Sequence, residues 1–198
     1  MDMHNEKRIG VLALQGAFVE HITGLKKLKV EALAIRSVQD LRSLDGLIIP
    51  GGESTTIGRL MVPYGFIGAL RELSHNGFPI FGTCAGMILL AKSVLGLGLE
   101  TIGTMDIKVR RNAFGRQVDS FEASLSVPVL GEAPFPAVFI RAPSIVEAEP
   151  EVQILACLPD GTPVAARQRN LLVSAFHPEL TSDLRFHAYF LDVVSQGG

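Results

Sequence analysis

Residues 79–91 read Pro79-Ile-Phe-Gly-Thr-Cys-Ala-Gly-Met-Ile-Leu-Leu-Ala91, and the change of character inside this stretch decides the fold. Residues 79–81 form a short apolar run of the kind buried on both faces of a parallel sheet, while 87–94 reads as a helix continuing beyond the junction. Cys84 stands between them with Gly82 and Gly86 two residues away on either side. The glycines leave room for a sharp turn. Such a turn lifts the side chain above the sheet edge and aims the amides of the next helix at whatever the sulfur attacks, a setting that suits a nucleophile.

Working outward, residues 9–14, 30–35 and 47–49 repeat the pattern of the doubly buried strand. Helical spacing separates them: Phe18, Ile22, Leu25 and Leu28 recur on one face, as do Ile67, Leu70 and Leu73. Alternating strands and helices predict an α/β three-layer sandwich, with a mostly parallel central sheet flanked by helices. From about residue 102 the chain changes to strand-like runs at 107–110, 121–129, 138–141, 152–158, 163–166 and 171–176. Gly131, Pro134, Pro136, Pro143, Pro150 and Pro159-Asp160-Gly161 punctuate them. These predict an antiparallel extension in the C-terminal half, closed by a helix over 183–194. Without a repeat or linker, residues 1–198 read as one domain, with 1–7 a flexible tail.

A hydrophobic share of 47% in 198 residues suffices for one sizeable core. The formal charge of −2, from 18 basic and 20 acidic residues, gives no general attraction to nucleic acid or anionic lipid. No apolar run approaches the roughly eighteen residues of a membrane span, and the apolar start is broken by Gln15-Gly16, unlike a signal peptide. Two cysteines, Cys84 and Cys157, make no disulfide framework, and no CxxC or paired-histidine spacing suggests zinc. The expected compartment is reducing and cytoplasmic. Cys157, within Val152-Gln-Ile-Leu-Ala-Cys-Leu158, reads as a core strand residue.

A free thiol with a pKa of about 8.5 is only a few per cent thiolate at neutral pH, so a nucleophilic cysteine needs a cationic partner or helix-terminal amides. His177-Pro178-Glu179, directly after the strand-like 171–176, supplies a base with an orienting carboxylate. On an extended segment, residues two apart point to the same side. Pro50-Gly-Gly-Glu-Ser54 follows another strand, and its glycines allow backbone amides to face a developing oxyanion. Ordinary turn and N-cap chemistry explains that stretch equally well, and it lacks the ending of a phosphate-binding loop. His4, His21, His75 and His187 read as surface or capping residues, with His21 allowed a role at the site edge.

Gly82-Thr-Cys-Ala-Gly86 together with His177-Pro178-Glu179 resembles the catalytic pattern of class I, triad-type glutamine amidotransferases. Leu14-Gln-Gly16, the 50–56 loop, Arg111-Asn-Ala-Phe-Gly-Arg-Gln-Val-Asp-Ser-Phe-Glu122, Phe139-Ile-Arg-Ala-Pro143 and 174–181 resemble, within that class, the glutaminase subunits of pyridoxal 5'-phosphate (vitamin B6) synthase. Arg110 is a departure, since such sequences commonly carry an acidic residue there. The resemblance implies hydrolysis of L-glutamine without a cofactor or metal, and ammonia delivery to a separate synthase subunit in a hetero-oligomeric complex. It implies Cys84 as nucleophile, His177 as base and acid, and Glu179 as orienter. Gly52, Glu53, Ser54, Arg111, Ile140 and Arg141 would bind substrate, amides of Gly52 and Ala85 would hold the oxyanion, and Gln15 would lie near the site and the partner interface. Alternative readings are a glutaminase subunit feeding histidine or purine synthesis, a partner-binding relative without turnover, and an unrelated cysteine hydrolase.

Overall fold

The structure, a computed structural model, describes residues 7–96, 98, 100–115 and 119–196. Its first half alternates β1 (Arg8–Leu12), α1 (Phe18–Lys27), β2 (Glu31–Ile35), β3 (Gly46–Ile49), α2 (Ser54–Met61), α3 (Phe66–His75), β4 (Ile80–Thr83) and α4 (Ala85–Leu90). The second half holds β5 (Ala91–Leu95), β6 (Met105–Arg110), β7 (Ser120–Leu125), β8 (Phe135–Ile140), β9 (Ser144–Ala148), β10 (Gln153–Cys157), β11 (Pro163–Gln168), β12 (Leu171–Ser174) and α5 (Arg185–Gln196). No helix among the described residues is long and apolar enough to cross a membrane.

The central sheet runs β10-β11-β12-β4-β3-β1-β2, and the pairings leave β11 alone running against the others. β3, β4 and β12 are buried along their whole length, which is why each reads as a continuous apolar run. β2 is the exception. It closes the sheet edge and is only half-buried, so the doubly buried pattern expected there does not hold. Alternation along β4 places a helix on each face: Phe81 lies 5.7 Å from the Phe190 ring of α5, while Gly82 faces α4.

Gly82 and Gly86 serve that second contact. A Cβ on Gly86 would stand 2.1 Å from the Ile49 carbonyl oxygen, and one on Gly82 would stand 2.5 Å from the Gly86 carbonyl carbon. The glycines therefore let α4 settle onto β3 and β4. The turn itself is made by Cys84, at φ 49° and ψ −99°.

The antiparallel extension is dispersed rather than continuous. β10 and β11 widen the central sheet, β5-β6-β9 form a second sheet in which β5 runs parallel to β6, against the expectation, and β9 antiparallel to it, and β7 and β8 form a hairpin. β9 was not legible in the sequence, and the expected run over 121–129 ends at Leu125 before a 3-10 turn at Pro128–Leu130. The helix expected over 87–94 stops at Leu90, where Ala91 turns to extended backbone and begins β5. Cys157 does lie in a strand, but it is exposed. Its strand is the sheet edge and is irregular in register at this residue, so alternation no longer turns the side chain inward. Of the expected tail, residues 1–6 lie outside the described residues, and Lys7 pairs with Asp45 at 3.4 Å.

Candidate active site

Register brings three strand ends level: Ile49 pairs with Gly82, and Thr83 pairs with Ser174. The loops that follow β1, β3, β4 and β12 thus leave one rim, carrying Gln15, Gly52, Cys84 and His177 in turn. A cavity of about 230 Å³ there is lined by Gln15, Gly52, Glu53, Ser54, Cys84, Ile88, Arg111, Asn112, Ile140, Arg141 and His177. Every lining residue that the sequence singled out is present. Ile88 and Asn112 were missed, although Ile88 lies one helical turn from Cys84 and Asn112 follows Arg111. A larger cavity of about 530 Å³ opens at the other end of β4 and β12, where Lys92 and Asp106 already satisfy each other at 2.8 Å and no cysteine is present.

Cys84 is buried, its amide donating to the Ser174 carbonyl at 2.7 Å, so the turn is stitched to the end of β12. Positive φ at a non-glycine residue is a strained state that surrounding structure must hold in place. Ala85 opens α4 immediately afterwards.

His177 does not sit on an extended segment. Pro178 opens a single 3-10 turn, Pro178–Leu180, a place where its missing N–H costs nothing. The turn still brings Glu179 Oε1 to 2.7 Å from His177 Nδ1, with the Glu179 side chain fully buried. Burial works against charge on the His177 ring, yet hydrogen bonding and charge attraction from Cys84 and Glu179 prevail and raise its pKa to about 10. The ring is therefore an imidazolium at neutral pH, the partner that a nucleophilic sulfur needs.

Glu53 has a different role from direct recognition alone. It caps α2, accepting from the amides of Thr55 at 3.1 Å and Thr56 at 2.7 Å, and it pairs with Arg111 at 3.2 Å. Partial desolvation opposes ionisation, but the Thr56 and Thr55 hydrogen bonds hold its pKa near 2. Its own amide donates to Gln15 Oε1 at 2.9 Å, which ties the loop after β1 to the loop after β3. Arg111 follows β6 and Arg141 follows β8, so the second sheet and the hairpin supply the basic wall. Arg110 is exposed and lies outside the cavity lining, and residues 116–118 of the Arg111 block lie outside the described residues.

His21 and His187 overturn their assignment as surface or capping residues: both are fully buried between α1, α5 and β4. His75 is exposed as expected, and His4 lies outside the described residues. Burial lowers the His187 pKa to about 4, and burial with the neighbouring His187 and His177 charges holds His21 well below its ordinary value. A depressed histidine pKa means that the unfolded chain binds the extra proton. Stability is therefore intact above about pH 6.5 and falls as pH drops towards 4, by roughly 3 kcal/mol for His187 and further for His21. His177 has the opposite sign, its contribution being complete below pH 6.5 and lost only as pH rises through about 10. Urea midpoints measured at pH 7 and pH 5 should fall accordingly, and the drop should shrink in His187→Phe.

A buried thiol at a strand-to-helix turn, beside an imidazolium held by a carboxylate and facing a small cavity with a basic wall, is the arrangement that triad-type cysteine hydrolysis of an amide requires. The chain belongs to the SNO glutamine amidotransferase family, whose profile matches residues 11–196. It is 58% identical over 190 residues to the pyridoxal 5'-phosphate synthase subunit PdxT of Carboxydothermus hydrogenoformans, covering 96% of this chain and 99% of that protein. The corresponding subunit of Moorella thermoacetica is 57% identical, covering 94% of this chain and 99% of that protein. A crystal structure of a glutamine amidotransferase superposes with a TM-score of 0.90 at 48% identity, covering 94% of this chain and 98% of that one. PurLQS from Thermotoga maritima, at 14% identity and a TM-score of 0.68 over 96% of each chain, shares the fold alone.

Proposed function

We propose that this chain is the glutaminase subunit of pyridoxal 5'-phosphate synthase, hydrolysing L-glutamine to L-glutamate and ammonia and passing the ammonia to a synthase subunit. The observation that carries the reading is the convergence of Cys84, His177, Arg111 and Arg141 on one cavity sized for a small molecule. High identity to the two PdxT subunits supports this pathway over histidine or purine synthesis.

The Cys84 thiolate attacks the side-chain carbonyl carbon of glutamine, and the amides of Gly52 and Ala85 take the oxyanion. The His177 imidazolium gives its proton to the departing nitrogen, releasing ammonia and leaving a thioester. Neutral His177 then accepts a proton from water as the oxygen attacks the thioester. Collapse frees glutamate and restores the thiolate beside the imidazolium. Glu179 keeps the ring aligned throughout. Arg111, whose buried Nε has no partner among the described residues, receives the substrate carboxylate with help from Arg141, while Ser54 and Ile140 shape the cavity. Gln15 holds the Gly52–Glu53 backbone in place. No step needs a cofactor or metal. Residues 1–198 act as one domain in the cytoplasm.

Because early release would waste ammonia, docking of the synthase completes the oxyanion site. Glutamate release by the purified chain should rise on the order of 10²-fold when a pyridoxal 5'-phosphate synthase subunit is added, the worth of one oxyanion donor. Full turnover by the isolated chain would overturn this gating, and stimulation only by a histidine- or purine-pathway synthase would overturn the pathway.

A further inference from the structure

Behind the cavity a line of buried polar groups continues that the reaction above leaves unused. Glu179 Oε1 is taken by His177, but Oε2 is buried without a hydrogen-bond partner of good geometry, and His21 Nε2 stands 3.3 Å from it. His21 enters from α1 with its other ring nitrogen 2.9 Å from His187 Nε2 of α5, and Nε2 also lies 3.2 Å from Thr83 Oγ1 of β4. A carboxylate oxygen shut away from water needs a donor facing it.

We propose that His21 is a positioning residue for the glutaminase reaction, presenting an Nε2–H to Glu179 Oε2 and so fixing the carboxylate that aligns His177. The inference rests on the triad reading given above. Proton placement follows from the neighbours. With the proton on Nδ1, the Nε2 lone pair would face a carboxylate oxygen. With it on Nε2, the one N–H lies between Thr83 Oγ1 at 3.2 Å and Glu179 Oε2 at 3.3 Å and is shared by the two acceptors, Nδ1 accepts from His187 Nε2–H, and His187 Nδ1 is left as a bare acceptor, in keeping with its lack of a partner.

The titratable groups facing His21 are Glu179 and, beyond it, His177 from the turn after β12, and His187 from α5; β4 contributes the uncharged Thr83 and the edge of the Phe81 ring. In this setting His21 stays neutral, and neutrality matters. A second imidazolium would compete with His177 for the Glu179 charge, whereas an N–H dipole orients the carboxylate and leaves its charge to His177.

Two amides of similar polarity separate positioning from packing. The Gln amide nitrogen can replace Nε2–H, while the Asn amide reaches only the Nδ1 position. With the synthase subunit present, His21→Asn and His21→Leu should lower kcat roughly ten- to a hundredfold with KM for glutamine within about twofold, and His21→Gln should recover most of the loss. In a Cys157→Ser background, which removes the exposed thiol, alkylation of Cys84 by iodoacetamide should begin at higher pH in the Asn and Leu variants than in wild type or Gln. Equal losses in Gln and Asn, or an unmoved alkylation profile in Asn, would overturn the proposal. Should the Leu variant fail to fold, the Gln and Asn pair decides alone. Cys84→Ala run in parallel separates the two levels: its retained activity would sink the triad, while an inactive Cys84→Ala beside a fully active His21→Asn sinks only the role of His21.

Discussion

Cys84→Ala should abolish glutamate release, lowering kcat by about ten thousandfold or more even with the synthase subunit present. Without the sulfur no thioester forms, and water must attack the amide directly with only the oxyanion amides to help. The fold should survive. Alanine keeps the Cβ that Cys84 already carries at φ 49°, the buried site loses one atom, and the backbone bond to Ser174 is unaffected. Thermal unfolding close to that of wild type, paired with lost turnover, is the expected result. Turnover within tenfold of wild type would remove Cys84 from the reaction, and Cys157→Ser serves as the control because its thiol is exposed and is not part of the cavity lining.

The site was legible wherever local chain chemistry forces the geometry. A doubly buried strand has no polar face, so β1, β3 and β4 announce themselves as apolar runs, and the rim where their loops gather follows from parallel order. What escaped was set by neighbours distant in sequence. α4 is buried on every side, and the exposed Lys92 and Ser93 that follow it read equally well as the solvent face of a continuing helix. β10 is an edge, and only the sheet order reveals that Cys157 faces outward. The buried histidines do leave a trace in the sequence. His21 lies one turn from Leu25 and His187 one turn from Leu191, on the apolar faces of α1 and α5. Glu53 was legible as a recognition residue but not as a helix cap, although Glu53-Ser-Thr-Thr56 places its carboxylate within reach of two amides.

These particulars explain how a thiol and a carboxylate far apart in sequence come to flank one imidazole. Glu179 is linked to Cys84 only by way of His177, whose charge is favoured from both sides. The loop after β3 contributes by what it lacks: side-chain bulk at Gly51 and Gly52 would displace the groups packed against it. A Cβ on Gly52 would meet Gln15 Oε1 at 2.5 Å, and the space at Gly51 belongs to the His177 ring.

Gly51→Ala turns that packing into an experiment with the second-largest expected effect. A methyl there would stand 2.3 Å from His177 Cε1, 2.8 Å from Nδ1 and 3.4 Å from Cys84 Cβ. The first two distances are shorter than real Cβ contacts allow, so either the ring or the loop must retreat. The ring cannot retreat freely, since Nδ1 is the atom bonded to Glu179 at 2.7 Å and the His177 amide is tied to Val138. The loop is tied as well, because the Gly51 carbonyl accepts from Ala17 at 3.0 Å. A displacement of about 1 Å at an aligned base costs on the order of 10²-fold in rate, so kcat should fall by that amount. The His177 charge should weaken with the lost alignment, and alkylation of Cys84 in a Cys157→Ser background should then require higher pH. Gly68→Ala provides the contrast: nothing lies within 4 Å of a Cβ there, and an exposed helical glycine replaced by alanine should leave turnover unchanged while stabilising the fold by about 1 kcal/mol. Wild-type turnover in Gly51→Ala would mean that the ring works from a position other than the one packed against this loop.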